Sequence, residues 1–185
     1  SRDWSSDVCS SDLTFTGSAD TAAKLRVNPN LIRNSVPFNA EADSLNCAIL
    51  APDVTPDDEE FELFITEVAR EMTTKAGQKC TAIRRAIVPA KHIDAVATRL
   101  RDRLKKVVVG DPSVEGVRMG PLASHDQQKD VAERLESLLQ SSDMFFGARD
   151  GFEPRGENVS QGAFFAPTPL QARDPHADGG APPIE

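Results

Sequence analysis

Residues 55–88 read TPDDEEFELFITEVAREMTTKAGQKCTAIRRAIV, and the pattern along them changes from helical to extended. Thr55, Pro56 and the acidic run 57–60 make a helix start. Threonine caps, proline takes the first helical position, and carboxylates complement the positive end of the helix dipole. Phe61, Phe64, Ile65, Val68, Met72 and Ala76 then recur on one face, and Gly77 ends the helix. A short polar turn carries Cys80, and 86–88 reads as a strand stopped by Pro89. A second amphipathic helix follows, with Ile93, Val96, Ala97, Leu100 and Leu104 on its buried side. Strands alternating with helices mean an α/β architecture.

The same alternation extends outward. Phe15-Thr16-Gly17-Ser18 reads as a strand end turning into a helix whose first turns are 19–25. Segments 36–38 and 45–50 are short apolar strands, the second ended by Pro52. Toward the C-terminus, Ser124 and Gln127 form a capping box ahead of a third helix in which Val131, Leu135 and Leu138 face inward. Candidate strands lie at 144–147 and 163–166.

The 185 residues are 39% hydrophobic and 27% charged, which suits a folded globular protein. No apolar run approaches the roughly 20 residues of a membrane span. A formal charge of −8 without a basic cluster argues against nucleic acid as a partner. Cys9, Cys47 and Cys80 form neither a disulfide framework nor a metal-ligand spacing, so no metal site is expected and a reducing cytoplasm is. His92, His125 and His176 lie far apart in polar stretches and are expected at the surface.

Residues 3–13, DWSSDVCSSDL, hold too few apolar groups to pack and read as a disordered tail. They also match, codon by codon, the translation of a common sequencing-library adapter. Residues 1–13 are therefore expected to be an artefact, excluded from fold reasoning together with Cys9. The genuine reading is expected to begin near Thr14 and to break off in mid-protein at Glu185.

Three features could carry chemistry. Gly77-Gln78-Lys79-Cys80-Thr81 puts a thiol in a turn between helix and strand, where a rigid scaffold can position a reactive group. A lone cysteine is more often a small buried hydrophobe, which is the expectation for Cys47 inside 46–50. The Gly17-Ser18 turn at a helix N-terminus can hold a phosphate or be an ordinary strand-to-helix turn. Glu41, in 39–44 (NAEADS), follows a strand, and a solvated loop carboxylate is the default there.

Taken together, these features resemble the aldehyde dehydrogenase superfamily. The FTGS turn is followed 24 positions after its glycine by Glu41, and 39 positions later by the GQ-x-C cysteine, Cys80. VGDP at 109–112, MGPL at 119–122 and GAFFAPT at 162–168 continue the family order. Within it, FTGSADTA at 15–22, NSVPFNAEADSLN at 34–46 and GQKCTAIRR at 77–85 are similar to the phenylacetate-degradation bifunctional proteins. Those join the dehydrogenase to a hydratase domain. Most superfamily members read Glu-Leu-Gly-Gly-Lys where this chain has Glu41-Ala42-Asp43-Ser44-Leu45, so contacts of the usual glycines do not carry over.

The resemblance implies a fragment of the aldehyde dehydrogenase fold. Residues 14–50 would be the end of a Rossmann-like coenzyme domain, and 51–185 most of the catalytic α/β domain. It implies Cys80 as nucleophile, Glu41 as general base, and Gly17 and Ser18 at the cofactor pyrophosphate. Glu185 would sit at the nicotinamide ribose. The cofactor would be NADP or NAD, and the substrate a small aldehyde, CoA-linked in the narrower match. The parent would be a cytoplasmic homo-oligomer built from dimers. Alternatives are another aldehyde dehydrogenase, such as a CoA-acylating one, and a noncatalytic binding protein on the same scaffold. The 185 residues alone are expected to be inactive and poorly folded.

Overall fold

The computed structural model describes residues 12–147, 152–157 and 159–174. They fall into two compact units, one up to Ser44 and one from Leu45 onward. The architecture of each is α/β.

In the first unit, β1 (Leu13–Gly17) leads through Ser18 into α1 (Ala19–Arg26), then α2 (Pro29–Arg33) and β2 (Phe38–Ala42). Ser18 caps α1 by accepting from the Thr21 N–H, and Pro29 takes the first turn of α2 behind the cap Asn28. β1 and β2 are parallel, with Thr16 opposite Glu41 and Gly17 opposite Ala42. Leu13, the last residue of the 1–13 segment, opens β1, and residues 1–11 lie outside the described residues.

The strand expected at 36–38 is displaced to Phe38–Ala42. Pro37 has no N–H to give a ladder, and the Val36 amide closes the preceding turn on Leu31 O at 2.9 Å. Glu41 therefore stands inside a strand and not in a loop after one.

The second unit opens with β3 (Cys47–Ile49), crosses through α3 (Glu59–Thr73), and returns in β4 (Arg85–Ile87). β3 and β4 are parallel, with Cys47 opposite Arg85 and Ile49 opposite Ile87. Although it falls within the 14–50 span expected of the coenzyme domain, β3 belongs to this second unit. The strands at 38–42 and 47–49 thus lie in separate sheets and not in one. Next come α4 (Ile93–Leu104), α5 (His125–Leu138) and the antiparallel pair β5 (Ser142–Met144) and β6 (Leu170–Ala172).

The core is the α3–α4 contact. Leu50, Phe61, Ile65 and Val96 form one cluster, and Val68, Ala69, Leu100 and Leu104 continue it. A third cluster joins Val109, Met119 and Phe164. Ser124 caps α5 by accepting from the Gln127 N–H, as the sequence predicts, and Val131, Leu135 and Leu138 are half-buried.

Several expectations need correcting. α3 starts at Glu59, not beside Thr55, because Asp58 turns its carboxylate back to accept from Thr55 N at 2.6 Å and Thr55 Oγ at 2.8 Å. Segment 163–166 is buried but pairs with no strand. Leu122 N takes the Ala163 carbonyl at 2.9 Å, and Gln128 Nε2 takes that of Phe164 at 2.6 Å. β5 stops at Met144, since Arg101 Nε draws the Phe145 carbonyl aside at 3.0 Å.

Cys47 is exposed, because strand alternation sends Ala48 and Leu50 inward. His92 is buried, edge-on to Phe61 with ring centroids 6.1 Å apart, and its Nε2 has no partner among the described residues. His125 is exposed as expected, while His176 and Cys9 lie outside the described residues.

Leu104 is 1% exposed and Leu45 is 55% exposed. Leu104→Ala is expected to cost about 2–5 kcal/mol in urea unfolding, and Leu45→Ala under about 0.5 kcal/mol.

The Asp58 carboxyl is held below its ordinary value by the hydrogen bonds from Thr55, the backbone one first. A carboxylate with a depressed folded-state value stabilises the fold above its unfolded value of about 4. That contribution is lost as the pH falls through the folded value. The acid limb of a stability–pH profile should therefore be shallower in Asp58→Asn than in the wild type.

Candidate active site

α3 ends by twisting into the opposite hand. Thr73 and Thr74 fold their hydroxyls back onto the carbonyls of Ala69 and Arg70 at 2.8 and 2.7 Å. Lys75, Ala76 and Gly77 then follow with φ of 53°, 54° and 73°. Only glycine adopts such angles without steric cost, so the turn holds strain at Lys75 and Ala76. Gln78 offsets it, its N–H and its Nε2 donating to Lys75 O at 3.1 and 2.9 Å.

Beyond this turn lies Cys80, a free and exposed thiol. Its loop is held by side chains on the carbonyls of Gly77, Lys79, Cys80 and Ala82. Arg84 donates to Gly77 O at 3.1 Å and to Lys79 O at 3.3 Å. Asn46 donates to Cys80 O at 2.5 Å and to Ala82 O at 3.3 Å. Gln78 also bridges to the 119–123 segment, accepting from Ala123 N at 2.8 Å and donating to Pro121 O at 3.4 Å. Beside Cys80 in sequence, Lys79 Nζ pairs with Glu71 at 2.7 Å, a carboxylate only 12% exposed. The Cys80 N–H has no hydrogen-bond partner among the described residues.

The structure thus holds the Cys80 turn through Asn46, Gln78, Lys79 and Arg84, none of which was singled out as a site residue from sequence. Gln78 had a signal, its place in GQ-x-C. Asn46 had a weaker one, as the polar residue opening an apolar strand. Arg84 had none.

The other expected residues lie in the first unit. Glu41 is exposed in β2. Gly17 ends β1, and a Cβ there would come within 2.7 Å of the Phe15 ring. Ser18 Oγ accepts from Thr21 N at 3.1 Å and donates to Thr21 Oγ1 at 2.9 Å. Asp43, at φ 61°, accepts from Ala19 N at 2.8 Å, and its own N–H donates to Gly17 O at 3.3 Å. Glu185 lies outside the described residues.

A free, exposed thiol on a pinned turn after a helix, preceded in the chain by a parallel βαβ unit with a Gly-Ser turn, marks an α/β protein with an accessible cysteine. The chain belongs to the aldehyde dehydrogenase family, whose sequence pattern matches residues 7–178. It is 48% identical over 158 residues to the 3,4-dehydroadipyl-CoA semialdehyde dehydrogenase of Aromatoleum evansii, an alignment covering 85% of this chain and 31% of that protein. Betaine aldehyde dehydrogenase from Staphylococcus aureus, solved in complex with NAD+, superposes with a TM-score of 0.72 at 25% identity. That match covers 86% of this chain and 30% of the other. Aldehyde dehydrogenase C from Pseudomonas syringae shares the fold, with a TM-score of 0.66 at 22% identity over 84% of this chain and 30% of its own. The chain spans about a third of the length of these relatives.

Gln78→Leu should leave the Ala123 N–H without its acceptor, costing about 1–2 kcal/mol and speeding its hydrogen exchange. Gln78→Glu keeps that acceptor and should keep Ala123 protected.

Proposed function

We propose that this chain carries the nucleophile and the general base of an NAD(P)-dependent aldehyde dehydrogenase that oxidises a CoA-linked semialdehyde to its acid. The observation that carries the reading is an exposed, free Cys80 on a turn whose carbonyls are pinned, within a chain of this family. The CoA-linked substrate is supported by the Aromatoleum relative, whose name specifies a CoA semialdehyde. The sequence likeness to phenylacetate-degradation proteins refines it to a ring-cleavage product of aerobic phenylacetate breakdown. In that refinement the parent is a bifunctional cytoplasmic protein and a homo-oligomer built from dimers. Among the described residues, no helix is long and apolar enough to cross a membrane.

Cys80 Sγ, as thiolate, adds to the aldehyde carbon and forms a thiohemiacetal. The Cys80 N–H, without a hydrogen-bond partner among the described residues, is suited to hold the developing oxyanion. Bound NAD(P) supplies the hydride acceptor. Loss of hydride leaves a thioester on Cys80. Glu41 then takes a proton from water, whose oxygen attacks the thioester, releasing the acid and the thiol. A CoA-acylating enzyme has no use for that base, which favours the hydrolytic reading.

The Gly17-Ser18 turn fits an anionic cofactor in its chemistry, since helix N-termini attract negative charge. Ser18 and the first amides of α1 would hold the pyrophosphate. Asp43 already places a carboxylate on one of those amides, so the cofactor shares this helix end with it.

In the full-length enzyme, Cys80→Ala should abolish aldehyde-dependent cofactor reduction. Glu41→Gln should give a burst of reduced cofactor of about one equivalent and then stop, because the thioester forms and is not hydrolysed. Normal steady-state turnover by Glu41→Gln would remove Glu41 from this role. Full turnover by Cys80→Ala would instead favour a noncatalytic role for this thiol.

A further inference from the structure

Asn46 stands immediately before β3 and touches the cysteine turn through both its backbone and its side chain. Its carbonyl accepts from Arg84 N at 2.9 Å and Arg85 N at 3.3 Å, the residues that lead into β4. Its side-chain amide donates to Cys80 O at 2.5 Å and Ala82 O at 3.3 Å. A carboxamide nitrogen carries two hydrogens, and both are committed to backbone carbonyls. The Asn46 side chain therefore has no donor left for a substrate, and its direct contact with Cys80 is through the Cys80 carbonyl.

The geometry makes that passage specific. A peptide group is planar, so holding the Cys80 carbonyl fixes the plane shared by Cys80 and Thr81. The preceding plane contains the Lys79 carbonyl and the Cys80 N–H. It is fixed by Ala82 N at 3.1 Å and Arg84 Nη2 at 3.3 Å, both donating to Lys79 O. With the planes on both sides of its Cα held, Cys80 has a set Cα–Cβ direction and a set N–H direction. A nucleophile and its oxyanion donor need just these two vectors fixed, because a misplacement of about 1 Å can cost a hundredfold in rate. Of the two clamps, Asn46 is the one on the C-terminal side, and it ties the turn to the strand that β4 pairs with.

We infer that Asn46 is a positioning residue for Cys80, setting the approach of its thiolate and the aim of its N–H through the Cys80 carbonyl. This rests on Cys80 being the nucleophile.

The test uses the full-length enzyme and two variants. Asn46→Asp keeps the shape but turns an oxygen toward two carbonyl oxygens, and Asn46→Ala removes the donors without adding charge. Both should speed hydrogen exchange in the peptide spanning 78–84 about tenfold, with exchange in α4 unchanged. Both should lower kcat at least tenfold while KM moves less than twofold. Should Asn46→Asp fail to fold, the alanine variant makes the same comparison. Faster exchange with unchanged kcat would make Asn46 a structural tether only and overturn the inference, as would unchanged exchange in 78–84. Wild-type turnover in Cys80→Ala would overturn the underlying reading, and the positioning role with it, whatever the exchange data show.

Discussion

Parallel pairing of β3 with β4 is the constraint from which the second unit follows. Two parallel neighbours cannot be joined by a hairpin, so the chain must travel back along the sheet before the second strand begins. α3 is that return, and its apolar stripe has to be buried for the crossover to hold. Phe61, Ile65, Val68 and Ala69 supply the stripe, and Val96, Leu100 and Leu104 of α4 close over it. The turn carrying Cys80 is what remains between the end of the crossover and the start of β4. Its position is a consequence of topology, while its conformation is a separate matter.

That conformation comes from polar side chains acting on backbone carbonyls. A turn with three successive left-handed residues, two of them not glycine, is not a shape the local sequence favours. It persists because Gln78 holds the Lys75 carbonyl from within and Arg84, from just before β4, holds that of Gly77. Asn46, from just before β3, holds the adjoining carbonyls of Cys80 and Ala82. The pattern has a chemical consequence. Arg84 and Asn46 occupy the carbonyls of Gly77, Lys79, Cys80 and Ala82, while the Cys80 N–H stays without a partner among the described residues.

The same division explains what could be read from the residues alone. The apolar period of α3 and α4, the Ser124 cap and the Gly17-Ser18 turn at a helix start are local signals, and each reappears in place. The α/β class follows from them, while the family came from the resemblance carried by the FTGS, GQ-x-C, VGDP, MGPL and GAFFAPT motifs. Errors arose where a distant or competing partner decided the outcome. Asp58 turned back to Thr55 and delayed the helix that Thr55 and Pro56 announce. Buried carbonyls at 163 and 164 were taken by Leu122 and Gln128 where a strand was expected. Cys47 and His92 exchanged places relative to expectation, the thiol outward and the imidazole inward. Strand phase and the reach of a ring against Phe61 decide burial there, and polarity of the neighbouring residues does not. Arg84 was invisible and Asn46 nearly so for the same reason, since each acts only through carbonyls five to seven, or 34 to 36, positions away.

Asp43 shows how a departure from a family pattern can be read physically. The usual glycine at this place would tolerate a positive φ without cost, and Asp43 adopts φ 61°, which aspartate tolerates better than most residues. Its side chain then supplies what glycine lacks, an acceptor for Ala19 N at 2.8 Å. The carboxylate thus joins the end of β2 to the start of α1 and sits at the positive end of that helix. A charged cap gives the Gly17-Ser18 turn a fixed shape in the absence of any ligand. The same negative charge opposes a second anion arriving at the same amides. Rigidity and affinity are set against each other at this one residue, and a glycine there would settle the balance toward affinity.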